Sequence, residues 1–248
     1  MKFAIYSYNG AGASMKYLSH YLDDAPILSR HSALDLSNTI LINYGASYLT
    51  IPWNSSWFNE PRKINNAVYK LRSFALFADH GIPFPRLTQD CRVAQDWLQQ
   101  GKTIFARQTA SGAEGEGIII CHPDNRNTSL PSAEFYSEAL GHNHEYRVHV
   151  VCGQVISCGQ KYQRQADASP WIRNMKNGWI FLLDVQAPAV VKEMGRQAVV
   201  ALGLDFGAAD IGYKIADNKA WVFEVNSAPT MSQKTAAHYA TAFKKESV

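Results

Sequence analysis

Gly203-Leu204-Asp205-Phe206-Gly207-Ala208-Ala209-Asp210 and, further on, Glu224-Val225-Asn226-Ser227-Ala228-Pro229 decide the reading of this chain. They imply two strands, 208–214 and 220–226, joined at an Asp217-Asn218 turn. Residues two apart on a strand share a face, so Glu224 and Asn226 point the same way, and across the hairpin Asp210 can face them. Two carboxylates and an amide oxygen suit a hard divalent cation that keeps waters and substrate phosphates in its shell. The competing reading is a set of exposed polar positions on a half-buried strand. Val222, Phe223 and Val225, which read as buried, and Pro229, which ends the strand, count against it.

Working upstream, Glu145-Tyr146-Arg147-Val148-His149-Val150 opens a strand pair at 145–151 and 154–160, turned at Gly153. Lys161, Arg173, Asn174 and Lys176 follow, and cations clustered this way can neutralise a triphosphate or an acyl phosphate; solvated charge is the plainer alternative. His149 is given no catalytic role, because a lone strand histidine is more often structural. Further upstream, Arg107 precedes Ser111-Gly112-Ala113-Glu114-Gly115-Glu116-Gly117, between strands 103–107 and 117–121. The glycines allow positive φ and close backbone approach, and exposed N–H groups in such a loop can cradle phosphate oxygens. Arg107 can grip a phosphate from the side. An ordinary hairpin loop would also carry glycines, and no Gly-Lys-Ser/Thr makes this a Walker A loop.

Around these motifs, residues 3–8 and 39–44 read as strands, with a helix through Tyr21 between them, a small α/β unit. Residues 52–62 read as a linker. Helical spacing runs from Ile64 to His80 and is stopped by Gly81, Pro83 and Pro85. A short helix is expected at 95–100, an irregular functional loop at 161–180, and helices at 188–202 and 233–245.

The 24 Lys+Arg are nearly matched by 21 Asp+Glu, so charge gives no indication of nucleic acid. A hydrophobic share of 46% excludes disorder. No apolar run reaches the roughly 20 residues of a membrane helix, and the N-terminus reads as a strand rather than a signal peptide. Cys91, Cys121, Cys152 and Cys158 lack C-x-x-C spacing, which disfavours zinc and leaves reduced thiols in a cytosolic setting.

In order, these pieces resemble the ATP-grasp superfamily. Ile64–Pro85 resembles the helix and Gly-Ile-Pro-x-Pro turn that open its central domain, and Phe105–Ile120 looks like its strand, glycine loop and strand. Glu145–Lys161, ending in Gln160-Lys161, is similar to the RimK-like branch, which includes ribosomal-protein glutamate ligases. Closer still is a group of short phage and bacterial ATP-grasp proteins, in which Ile172-Arg173-Asn174, Asn177-Gly178-Trp179 and the two C-terminal pieces occur in this order. The match covers about residues 40–245.

The resemblance implies an α+β ATP-grasp fold: a reduced N-terminal α/β piece over 1–60, then an ATP-grasp domain over 61–248. Within that domain, a central subdomain (about 64–140) and a C-terminal one (about 141–248) clasp nucleotide. It implies an ATP-dependent carboxylate–amine ligase working through an acyl phosphate. Its cofactors are ATP and Mg2+, with Mn2+ as an alternative, and its partners small-molecule or peptide carboxylates and amines. The setting is the cytoplasm, that of the host for a phage-encoded chain. By position, Arg107 matches a strand-end lysine on the nucleotide phosphates; arginine keeps the charge and changes the geometry. Ser111, Gly112, Gly115 and Gly117 fall in the phosphate loop. Glu138, Ala139 and Leu140 match the hinge that reads adenine, and Glu145 an acidic residue on ribose. Lys161, Arg173, Asn174 and Arg147 fall among the catalytic groups, and Asp210, Glu224 and Asn226 among the metal ligands. Thr230 departs from the glycine common after Asn-x-x-Pro.

Two alternatives stand beside this. One is an ATP-binding module that has lost catalysis and acts in a complex. The other, a Rossmann-type binder using Asn9–Ser14, lacks the G-x-G-x-x-G spacing and a following acidic residue. Trp53, Trp57 and Phe58 form either a homodimer patch or linker packing.

Overall fold

A computed structural model describes residues 2–7, 12–29, 32, 36–49, 54, 56–111, 115–125 and 129–247. Three sheets organise them. The first is parallel, with β1 (Lys2–Ser7) between β2 (Ile27–Leu28) and β3 (Thr39–Tyr44). Its central strand is apolar on both faces, as a covered parallel strand must be. Helix α1 (Ala13–Tyr21), the helix expected through Tyr21, packs on it; residues 9–11 of the loop before it lie outside the described residues.

The second sheet is antiparallel, in the order β4 (Leu87–Thr88), β7 (Phe135–Glu138), β5 (Ile104–Arg107), β6 (Ile118–Cys121). Helix α4 (Cys91–Gln99) lies behind it, started by Asp90, whose Oδ1 accepts the Arg92 amide at 2.8 Å. Trp97, Leu98, Ile104, Ala106 and Tyr136 close a small core of their own.

The third sheet is antiparallel and five-stranded: β10 (Trp179–Leu182), β9 (Gln154–Gln163), β8 (His144–Val151), β11 (Phe206–Lys214), β12 (Lys219–Asn226). Helix α5 (Ala189–Ala201) covers its back so closely that a Cβ at Gly195 would stand 2.5 Å from the Val148 Cβ. The final helix, α6 (Gln233–Glu246), starts at Ser232, whose hydroxyl accepts the Thr235 amide. No helix among the described residues is long and apolar enough to cross a membrane.

Three expectations change. The helix expected over 64–80 is two helices, α2 (Pro61–Val68) and α3 (Lys70–Asp79). Tyr69 between them is extended, the Lys70 amide turns to Ala110 O at 3.2 Å, and Ser73 Oγ donates to Asn66 O. The loop expected at 161–180 is partly strand. β9 continues to Gln163 and pairs with β10, so Lys161 stands on a strand opposite Phe181. The described part of the linker expected at 52–62 is packed. Trp57 donates its indole N–H to Thr39 O, and Phe58 bridges to Ile42 and rests 4.7 Å from the Phe243 ring. Trp57 and Phe58 are therefore core residues, not a dimer patch; Trp53 lies outside the described residues. Beside them, Asn59 Oδ1 accepts the amides of Asp205 and Phe206, and its Nδ2 donates to Phe206 O.

Candidate nucleotide cleft

A cleft of about 960 Å³ opens between the four-stranded and five-stranded sheets. Its floor is set by strand register. Arg147 on β8 is directly paired with Asp210 on β11, and Asp210 with Glu224 on β12, so three ionisable side chains form one row across the sheet. One step along the strands lies the row His149, Ala208, Asn226. In the other direction Glu145 pairs with Gly212.

Each buried charge in the floor has an opposite partner. Arg147 makes two hydrogen bonds to Asp210, at 2.7 and 2.8 Å. Lys161 is ion-paired with Glu145 and lies 3.8 Å from Asp210. Lys70, at the start of α3, meets Glu224 at 3.2 Å. Burial pushes the Asp210 carboxyl up, but Arg147 and Lys161 outweigh it and hold the group at about 2. Glu145 resolves the same way: burial raises it, and Lys161 and His142 bring it below the ordinary carboxylate range.

Aromatic rings complete the floor. A bulge between Asp210 and Ile211 makes Phe223 an extra residue on β12, and its ring lies over Gly212. The ring meets His142 edge-on at 5.0 Å. Phe181 lies 4.7 Å from the Arg147 guanidinium and 5.7 Å from the Lys161 ammonium.

The facing wall carries Arg107, Glu138 and Leu140. Burial pulls the Arg107 guanidinium below arginine's ordinary range, and Glu224 partly offsets this. The Glu138 carboxylate is held by Arg86 and Lys102, and its N–H donates to Arg86 O; the Ala139 N–H donates to Thr103 O. Residues 164–178 cross from β9 to the wall, where Trp171 meets Phe105 and His122 edge-on and Ile172 rests on Gly115. Arg173 lies over Trp179 at 4.8 Å and donates to His142 O; Asn174 Oδ1 accepts the Asn177 amide.

The structure thus gathers Arg107, Gly115, Glu138, Leu140, Glu145, Arg147, Lys161, Arg173, Asn174, Asp210, Glu224 and Asn226 around one space. Ser111, Gly117 and Ala139 do not line it, and Gly112 lies outside the described residues. Reading the sequence missed Lys70, Phe181 and Phe223 as lining residues. Lys70 has a local signal, a lysine at helical spacing from Phe74 and Phe77 on the buried face of α3, whereas Phe181 and Phe223 look like core.

The residues fit a nucleotide and a divalent ion. Asn226 Nδ2 is buried with no hydrogen-bond partner among the described residues, beside two carboxylates, so its amide is not committed to the fold. Cations border the same space from both sheets. No group of three His, Cys, Asp or Glu side chains that could hold a metal occurs among the described residues, so an ion here would need an amide oxygen or the nucleotide itself to complete its shell.

No protein-family model matches the chain, and no curated protein matches it. Solved structures do. The ATP-grasp ligase PsnB complexed with minimal precursor is 14% identical with a TM-score of 0.73, covering 100% of this chain and 99% of that one. PsnB complexed with minimal precursor, Mg and ADP gives a TM-score of 0.72. D-alanine–D-alanine ligase from Bacillus anthracis is 14% identical with a TM-score of 0.66, covering 100% and 97%. The macrocyclase MdnC bound with precursor peptide MdnA from Microcystis aeruginosa MRC is 11% identical with a TM-score of 0.66, covering 99% and 100%. Identities this low speak to architecture, and the architecture agrees over the whole length: the chain has the ATP-grasp fold.

Proposed function

We propose that the chain is an ATP-dependent carboxylate–amine ligase. The observation that carries this is the row Arg147, Asp210, Glu224, with Asn226 one step along, facing Arg107 across the cleft. Bound Mg-ATP would supply the γ-phosphoryl group and its activation. A substrate carboxylate oxygen takes that group, ADP leaves, an amine attacks the acyl carbon, and phosphate departs as the amine loses a proton.

The chain's part is positioning and charge. Asp210, Glu224 and Asn226 would hold the ion. Arg107, Lys70, Lys161 and Arg173 would take phosphate oxygens, Lys70 and Lys161 exchanging carboxylates for them, Arg173 carbonyls and Arg107 the Ser137 hydroxyl. Arg147 orients Asp210 from the side. Glu145 and the Glu138–Leu140 edge would hold ribose and adenine, and the loops 108–117 and 164–178 would keep water from a hydrolysable acyl phosphate. PsnB and MdnC are solved with precursor peptides. That supports a peptide as one substrate, while a small amino acid is the second class. The RimK-like, short phage-type affinity and a cytoplasmic setting belong to the same reading.

The test is ADP release with Mg2+ and ATP, alone and with pooled amino acids and peptides, using hydroxylamine to trap acyl phosphate as hydroxamate. ADP and hydroxamate that need a carboxylate support the ligase; their absence under every condition defeats it. A catalytically silent ATP-binding module is the second reading, favoured by the hold of Arg147 on both Asp210 oxygens. It expects nucleotide binding with no turnover.

A further inference from the structure

His149 stands on the cleft face of β8, two residues beyond Arg147 and on the side away from Glu145. The ring is almost wholly buried, 4% exposed, yet borders the cleft. Its Nδ1 lies 3.2 Å from Tyr239 Oη, and Tyr239 Oη lies 3.0 Å from Gly207 O. A carbonyl oxygen only accepts, so the single phenolic proton must go to Gly207 O. Burial, which raises the Tyr239 phenol well above its ordinary range, keeps that proton in place. Tyr239 Oη can then only accept from the ring, which puts the imidazole proton on Nδ1 and leaves Nε2 as a bare lone pair. Nε2 has no hydrogen-bond partner among the described residues and is not among the polar atoms sealed from solvent without one. It therefore opens to the cleft. Burial and the neighbouring Arg147 push the imidazole down to about 3, so it stays neutral.

The surroundings say what such an acceptor would meet. Across the sheet, the row runs from His149 through the fully buried Ala208 to Asn226. Beyond it, the cleft is bordered by Ala228, Thr230, Met231, Ser232 and Thr235, with no carboxylate among them. The carboxylate row lies one step back. A group hydrogen-bonded to His149 would thus sit past the candidate ion site, on the side away from the hinge at Glu138–Leu140. A neutral acceptor favours an N–H or O–H donor there and repels a carboxylate.

We propose that His149 contacts the acceptor substrate, its Nε2 receiving a hydrogen bond from the N–H or O–H of the nucleophile. This deepens the ligase reading and rests on it for the word nucleophile, but the binding geometry is testable by itself. His149→Asn keeps a donor near Nδ1 for Tyr239 and removes the Nε2 acceptor; His149→Gln keeps an acceptor on the cleft side.

The experiment has two arms. In protein labelled with 15N-histidine, the His149 resonances are expected to report a proton on Nδ1 and a bare Nε2. Adding hydroxylamine with a non-hydrolysable Mg-ATP analogue is expected to shift the Nε2 signal, and adding acetate is not. In the hydroxamate assay, His149→Asn is expected to raise the hydroxylamine concentration for half-maximal rate about tenfold, the loss of one hydrogen bond, with His149→Gln recovering part of it. A proton on Nε2, an Nε2 signal unmoved by hydroxylamine, or an Asn variant with unchanged hydroxylamine dependence overturns the proposal. A wild type with the expected shift but no hydroxamate from any carboxylate defeats the ligase reading and leaves an amine-binding site at His149.

Discussion

Arg147 and Asp210 are directly opposed on neighbouring antiparallel strands and joined by two hydrogen bonds, Nε to Oδ1 and Nη2 to Oδ2. Planar guanidinium on planar carboxylate fixes both side chains in the floor of the cleft. Both are largely buried, so removing one strands the other's charge. Asp210→Asn is expected to cost about 3 kcal/mol of stability at neutral pH, read by urea unfolding. The pH dependence has a definite sign. The folded carboxyl is held at about 2, below its unfolded value near 3.9, so its contribution is fully present above about pH 4 and is lost as pH falls through 2. The gap between wild type and Asp210→Asn should therefore be flat from pH 5 to 8 and shrink below pH 4. A gap that widens on acidification would contradict the pairing.

Gly212 is the seat of the Phe223 ring, since a Cβ there would stand 2.2 Å from a ring carbon. Ring atoms cannot yield by that much without the whole side chain turning. Gly212→Ala is expected to lower stability by about 1–3 kcal/mol and to weaken ATP-analogue binding, because the displaced ring leaves the floor and its contact with His142. Calorimetry of analogue binding checks this, and an unchanged affinity would remove Phe223 from the binding surface.

Gly115, at φ +81°, touches the residue 164–178 segment through Ile172, with only 2.7 Å available to a Cβ. The two coverings of the cleft therefore meet at one point. Amide exchange over residues 108–118 and 164–178 should slow together when Mg-ATP analogue is added, because fixing each loop residue costs about 1–2 kcal/mol that ligand contacts must offset. Gly115→Ala should uncouple them, leaving the second segment in fast exchange with ligand bound. Exchange indifferent to ligand in both segments would mean that neither is a lid.

What the sequence makes legible is local. Period-two parity puts Glu224 and Asn226 on one face, and the strand at 208–214 brings Asp210 opposite, as the register confirms. The partner of Asp210 is not legible, because β8 and β11 become neighbours only in the sheet and nothing near Arg147 announces it. The bulge that places Phe223 over Gly212 is equally silent, since it adds one residue to a strand whose pattern still reads as apolar. Lys161 reads as loop because the cleft face of β9 is polar and its alternation has no apolar side to mark it. The break at Tyr69 is invisible to helical spacing, since its cause is a carbonyl of Ala110, a residue far along the chain.

The hydrogen bond from the Glu138 amide to Arg86 O has a mechanical consequence. The chain enters the four-stranded sheet just before Leu87 and leaves just after Glu138, and at this bond the two crossings lie side by side. Adjacent connections act as a single pivot rather than two separate tethers. The sheet with its helix α4 would swing as one plate about that pivot, while Asn59 clips the first sheet to β11 on the stationary side. A substitution at Arg86, remote from the carboxylate row, would alter how often the mouth stands open without changing what it grips.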